Sequence, residues 1–160
     1  MTKKNSSKTT STSDSNGCKK KQATASYHKM LDGLKPIQDL ILVAPMQVPK
    51  SVFDLSVAQK TGYYNYPPVG LLYIASVAKQ ADPNIKVTLL DLNFEMLKHA
   101  HEENFSYDFW KERLTDIIRE SSSPYVGISC MFDVNKEVFV EISQFIGKEF
   151  PGVPILAGGV

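Results

Sequence analysis

The residues that could do chemistry in this 160-residue chain fall where apolar runs end. Asn65-Tyr66-Pro67-Pro68-Val69-Gly70 separates one such run (39–45) from an apolar stretch at 67–80, and offers two prolines and a glycine in place of metal ligands or a general base. Ser129 is a lone hydroxyl in a run that is otherwise apolar or glycine, able to donate to a ligand or to bond its own backbone. Gly158 and Gly159 close a fourth run; paired glycines let a backbone approach a bulky ligand or take positive φ in a turn. Asp91 could grip a ribose hydroxyl, but with no glycine-rich turn in the chain it reads as a strand-end hydrogen-bonder. Cys130 has no histidine near it in sequence and reads as a small buried hydrophobe. His99 and His101, two residues apart, would point to different faces of a helix, and no third ligand is obvious, so that segment reads as solvated.

Four short continuous apolar runs must position these residues: 40–44, 87–90, 126–132 and 154–158. Continuous runs, as opposed to alternating ones, mark strands buried on both faces of a parallel sheet. Helical patterns lie between them. Residues 67–80 are apolar nearly all round, which predicts a helix lying deep against the sheet, with Pro68 where a first-turn proline costs no hydrogen bond. Tyr107, Trp110, Leu114, Ile117 and Ile118 share one face of a helix at 107–120. Val138, Ile142, Phe145 and Ile146 do the same at 135–150, with Asp133 or Asn135 as the cap. The order predicts an α/β fold: a Rossmann-like, flavodoxin-like, doubly wound parallel sheet truncated after its fourth strand. Ligands in such sheets sit beyond the C-terminal strand ends, where strand order reverses. Truncation would make the chain a fragment or the front of a longer protein. It would also leave an open sheet edge and exposed apolar surface, and hence marginal stability.

The net charge of +1 hides an uneven distribution. Residues 1–35 hold eight lysines against Asp14 and Asp32, which leaves 36–160 at −5. Ser, Thr and Lys dominate 1–35, and such a segment buries too little apolar surface to offset its ordering entropy, so it reads as a disordered basic tail before a domain at 36–160. No arginine or aromatic pattern accompanies its lysines, which argues against a nucleic-acid arm. The tail lacks the apolar segment of a secretory signal, and no run approaches the roughly 18 apolar residues of a membrane span. Two cysteines, Cys18 and Cys130, make no disulfide framework, and the expected compartment is the cytoplasm. The chain contains neither GxGxxG nor GxxxxGK[ST], which argues against a dinucleotide or a nucleoside triphosphate.

Taken together, LILVAP, PPVGLLYIASVAK, VTLLDLN, VGISCMF and VPILAGGV resemble the N-terminal cobalamin-binding domain of cobalamin-dependent radical S-adenosylmethionine enzymes, over residues 37–160. The branch most similar includes methyltransferases and ring-forming cyclases. Better-known cobalamin domains carry DxHxxG after the first strand, SxL after the third and GG after the fourth. Ser129-Cys130-Met131 resembles SxL, Gly158-Gly159 resembles GG, and 26 residues (132–157) separate them. Against DxHxxG, Asn65 takes the Asp place, Pro67 the His place, and Gly70 keeps the glycine.

The resemblance implies a base-off cobalamin with no histidine beneath cobalt. Its corrin would lie over Pro67, Pro68 and Gly70, with Tyr63, Tyr64 and Tyr66 packing on the ring edge. Its nucleotide tail would pass Ser129 and Met131, with room made by Gly158 and Gly159. The 4Fe-4S cluster and S-adenosylmethionine of the family require CxxxCxxC, which this chain lacks, so they would belong to a separate C-terminal radical domain. Alone, the chain would bind cobalamin without completing the reaction. Two other readings stand beside this one: a Rossmann-like domain used for protein contact, and a flavodoxin-like binder of some other nucleotide.

Overall fold

The computed structural model describes residues 36–131, 133 and 136–159. The expected disordered tail at 1–35, and Asn135 as a helix cap, lie outside the described residues. The sheet and its helices all belong to one compact unit, Ile37–Val160.

Four parallel strands, β1 (Asp39–Ala44), β2 (Lys86–Asp91), β3 (Pro124–Ser129) and β4 (Ile155–Gly158), form one sheet in the order β2-β1-β3-β4. This is the α/β, flavodoxin-like, doubly wound arrangement. Every residue of β1 is buried, as its unbroken apolar run requires of a central strand. Side chains alternate across a strand, and the alternation divides the core. Ile41 and Val43 point into one cluster, whereas Leu40, Leu42 and Ala44 point into another.

Short elements fill the connections. A single 3₁₀ turn (Lys50–Val52) and helix α1 (Leu55–Lys60) follow β1, and α2 (Val69–Ala81) leads to β2. Helices α3 (Leu92–His99) and α4 (Phe109–Arg119) join β2 to β3, and α5 (Lys136–Glu149) joins β3 to β4. The larger cluster takes Leu92 and Met96 from α3, Trp110, Leu114 and Ile118 from α4, and Val138, Ile142 and Ile146 from α5. Each aliphatic side chain fully buried there contributes about 1.5–3 kcal/mol of transfer free energy. Three helices therefore cover one face of the sheet.

The other face has only α2 among the described helices in its cluster, through buried Leu71 with Ala75 and Ala78 alongside. The expectation that this helix is buried nearly all round is therefore corrected. Val69, Leu72, Tyr73, Ile74 and Val77 are exposed. A helix with no described neighbour on its layer buries only the stripe facing the sheet, so apolar residues off that stripe remain in solvent. Beside α2, over β3 and β4, no described helix covers the sheet face.

Local signals set the helix starts. Asp54 accepts from the Ser56 and Val57 N–H groups at the start of α1, and the Ser56 side chain together with these N–H groups holds its carboxyl below the usual carboxylate range. Asp91 accepts from Phe94 N–H at 3.0 Å and caps α3, the strand-end role expected for it. At the opposite end of the sheet, buried Asp39 accepts from Ser122 N–H at 3.1 Å and Ser123 N–H at 3.2 Å, fixing the turn into β3.

Candidate functional site: an apolar groove at the strand switch point

Strand order reverses between β1 and β3, because the chain leaves β1 for β2 on one side and returns to β3 on the other. A groove of about 530 Å³ lies there, on the open sheet face between α2 and β4. Its volume is within the range of small-molecule and cofactor sites.

The floor follows from the register. Leu42, Gly127 and Leu156 stand side by side on β1, β3 and β4, and all three line the groove. Gly127, between two leucines, makes room for the Leu42 side chain. A Cβ there would lie 2.9 Å from Leu42 Cδ2. Next along the face, Ser129 pairs with Gly158. The mouth is built from Pro45 and Gln47 after β1, Met131 after β3, Tyr66 and Pro68 leading into α2, and Gly70 in its first turn.

Of the nine candidate site residues, seven meet in this one groove: Tyr66, Pro68, Gly70, Ser129, Met131, Gly158 and Gly159. Asn65 and Pro67 stand outside its lining. The Asn65 Oδ1 accepts from Asn93 Nδ2 at 3.1 Å, and the Pro67 carbonyl accepts from Val69 N–H at 2.8 Å in a tight turn. Pro68 precedes the first helical residue, and its carbonyl accepts from Leu71 and Leu72 N–H. Tyr64 and Tyr66 stack on each other, with ring centroids 5.8 Å apart and planes 11° apart. Tyr63 turns away, its ring 5.7 Å from Phe53 and its hydroxyl accepting from Asp54 N–H at 2.8 Å.

The two terminal glycines differ. At Gly158 an added Cβ would meet nothing within 4 Å, so that position faces open groove; Gly70 is the same. Gly159 has φ +147°, and a Cβ there would lie 1.9 Å from the Cys130 carbonyl oxygen. Its glycine is demanded by the backbone of β3, which passes against it while Cys130 N–H donates to the Gly158 carbonyl at 2.7 Å.

The described lining includes no carboxylate, histidine, lysine or arginine; its side-chain polar groups are Gln47, Tyr66 and Ser129. Such a groove holds and orients a ligand and has little means of moving a proton. The ionic network lies elsewhere. Asp108, held below the usual carboxylate range by hydrogen bonds from Lys50 and Lys111, joins the 3₁₀ turn to α4. Lys111 is raised in turn by Asp108. Tyr107 donates to the Val48 carbonyl at 2.5 Å, and burial, reinforced by Glu141, Glu137 and Asp108, pushes its phenol well up. His99 pairs with Glu102 at 2.8 Å and packs on Phe109, and neither His99 nor His101 lines the groove.

A family model for the B12 binding domain matches residues 56–160, from α1 to the last strand. The chain belongs to the B12-binding domain family. No curated protein and no solved structure matches it significantly. The groove of this B12-binding domain fits part of a cobalamin on its own geometry: apolar walls and two glycines, Gly70 and Gly158, facing open space. Among the described residues no helix is long and apolar enough to cross a membrane.

Two residues of this B12-binding domain escape a reading of motifs. Gly127 is one. Its signal was parity, since it sits two residues before Ser129 and so shares its face. Asn93 is the other, buried in the first turn of α3 and bonded to both loops at the groove mouth. Its position beside Asp91 at a strand end was visible, but not its reach across 28 residues to Asn65.

Proposed function

We propose that this chain binds cobalamin base-off, with the corrin across the C-terminal strand ends and the nucleotide tail in the groove. Pro67, Pro68 and Gly70 would underlie the corrin; Tyr66, with Asn65 behind it, would flank it. Ser129 and Met131 would contact the tail, with Gly158 open beneath it and Gly159 holding the wall. The observation that carries this reading is the convergence of seven candidate residues, five of them at motif positions (Gly70, Ser129, Met131, Gly158 and Gly159), on one proton-inert groove at the switch point.

Bound cobalamin supplies a cobalt ion that accepts and releases a methyl group. This chain's part is steric and electronic. Proline offers no lone pair, so Pro67, in the place of the histidine of better-known cobalamin domains, would give the metal no protein ligand from this loop. The fixed φ of Pro67 and Pro68 gives a stiff apolar floor.

The resemblance further supports a role as the N-terminal module of a radical S-adenosylmethionine enzyme, a methyltransferase or a ring-forming relative. In that reading the iron–sulfur cluster and S-adenosylmethionine belong to a C-terminal domain, because Cys18 and Cys130 do not make CxxxCxxC.

The test is titration of the full chain with hydroxocobalamin, followed by visible absorbance and, after reduction to cobalt(II), electron paramagnetic resonance. A base-off spectrum without imidazole nitrogen splitting is expected. Absence of binding at about 50 µM, a concentration at which even weak sites begin to fill, in a chain shown to be folded, refutes cobalamin binding. Nitrogen splitting from a protein imidazole refutes the open lower face. Cysteines spaced CxxxCxxC in the coding sequence beyond codon 160 would support the radical-enzyme assignment.

A further inference from the structure

We propose that Asn93 is a positioning residue for the cobalamin site, a latch that holds the two loops at the groove mouth in fixed relation; this rests on the cobalamin reading above. Asn93 is 1% exposed. Its Oδ1 accepts from Gln47 N–H at 3.0 Å. Its Nδ2 donates to the Tyr64 carbonyl and to Asn65 Oδ1, each at 3.1 Å. Both amide hydrogens and the amide oxygen are thus engaged, and the side chain has no freedom to turn without leaving buried groups unpaired.

The two segments joined are the ones the site needs together. Gln47 lines the groove from the β1 side. Residues 64–66 deliver Tyr66 to its wall and lead directly into Pro67, Pro68 and Gly70. Between them the chain leaves through the 3₁₀ turn and α1 and returns, so their relative placement depends on ties across the mouth. Tyr64 is 80% exposed, and its own burial does not hold the segment. Asn93 sits at the start of α3, rigidly continuous with β2, and so refers both loops to the sheet. On this account Asn65 acts through Asn93 and supports the mouth without touching ligand.

The test compares Asn93→Asp and Asn93→Ala with the wild-type full chain. Asp keeps an oxygen for Gln47 N–H and loses both donated bonds; Ala loses all three. Three readouts are taken: hydroxocobalamin affinity, amide hydrogen exchange at 47 and 64–66, and the urea midpoint from Trp110 fluorescence. Asn93→Asp is expected to weaken hydroxocobalamin binding about five- to thirtyfold, the effect of two lost hydrogen bonds and a less populated competent mouth. It should speed exchange at 64–66 while the Gln47 amide stays protected; Asn93→Ala should release both. Should Asn93→Asp not fold, Asn65→Ala removes one bond from the far side and should weaken binding about two- to fivefold. Variants that bind as wild type overturn the proposal alone. So does weakened binding that follows the urea midpoint with exchange at 64–66 unchanged. A wild-type chain that does not bind hydroxocobalamin overturns the cobalamin reading and the proposal with it.

Discussion

Replacing each member of the Gly158-Gly159 pair by alanine should separate two jobs that adjacent glycines perform here. At Gly159 the new Cβ would stand 1.9 Å from the Cys130 oxygen and 2.5 Å from its carbon, at φ +147°. No rotamer relieves a clash between Cβ and backbone, so the 158–159 backbone must move off β3. That movement forfeits the 2.7 Å bond from Cys130 N–H to the Gly158 carbonyl. Losing one such bond and carrying residual left-handed strain costs about 1–2 kcal/mol. At Gly158 the Cβ meets nothing within 4 Å, and alanine is favoured over glycine in a strand by about 0.5–1 kcal/mol. The two variants should therefore differ by about 2 kcal/mol. With a urea m-value of about 1–3 kcal/mol/M, their midpoints should lie on the order of 1 M apart, Gly159→Ala lower. Trp110, fully buried in the larger core cluster and the single tryptophan, is the probe. Hydroxocobalamin affinity should fall for both: through a displaced wall at 159, and through a methyl group in the tail's path at 158. Equal midpoints would refute the inference of close backbone approach. A Gly158→Ala chain that is stable and binds as wild type would refute the placement of the tail.

Pro67→His would put an imidazole in the family's histidine place, and nitrogen splitting should appear on cobalt(II); an unchanged spectrum would show that Pro67 does not lie beneath the metal. Tyr107 tests pH dependence. Because burial raises its phenol above the unfolded value of about 10, its contribution is complete below pH ~10. Above that pH it is lost by up to about 1.4 kcal/mol per pH unit, as the unfolded chain alone releases the proton. Tyr107→Phe should lower the urea midpoint at pH 7 and flatten this alkaline fall; an equally steep fall in the variant would assign it to another group. Asp39→Ala removes two backbone hydrogen bonds at the end of the sheet opposite the groove mouth and should cost about 1–3 kcal/mol, leaving hydroxocobalamin affinity unchanged. A change in affinity at equal folded fraction would contradict that separation.

The fold was legible because short apolar runs alternate with helical periods, although only β1 and most of β3 are buried as continuous runs imply; β2 and β4, at the sheet edges, are exposed or half-buried over most of their length. Trp110, Leu114, Ile117 and Ile118 fell on one helical face in sequence and in space. Helix α2 misled because composition reports how apolar a segment is, but not how many layers exist to cover it. Seven residues of the groove lining were named from motifs, since glycine pairs and proline turns announce backbone geometry. Asn93 was not, because an asparagine after a strand looks like any cap until its amide is seen to reach two loops. In sequence, Gly158 and Gly159 likewise look like one device. Only the folded chain separates the one that faces open space from the one pressed on Cys130.

The uncovered half of the sheet has a thermodynamic corollary. Leu42, Gly127 and Leu156 form a floor that no described helix covers over β3 and β4, and Leu156 is 42% exposed. Any tight occupant would act as the absent layer, shielding β4 along its length. Stability should then rise with free ligand by RT ln(1 + [L]/Kd), and the melting temperature with it. Cofactor loading and resistance to aggregation would become a single measurable quantity.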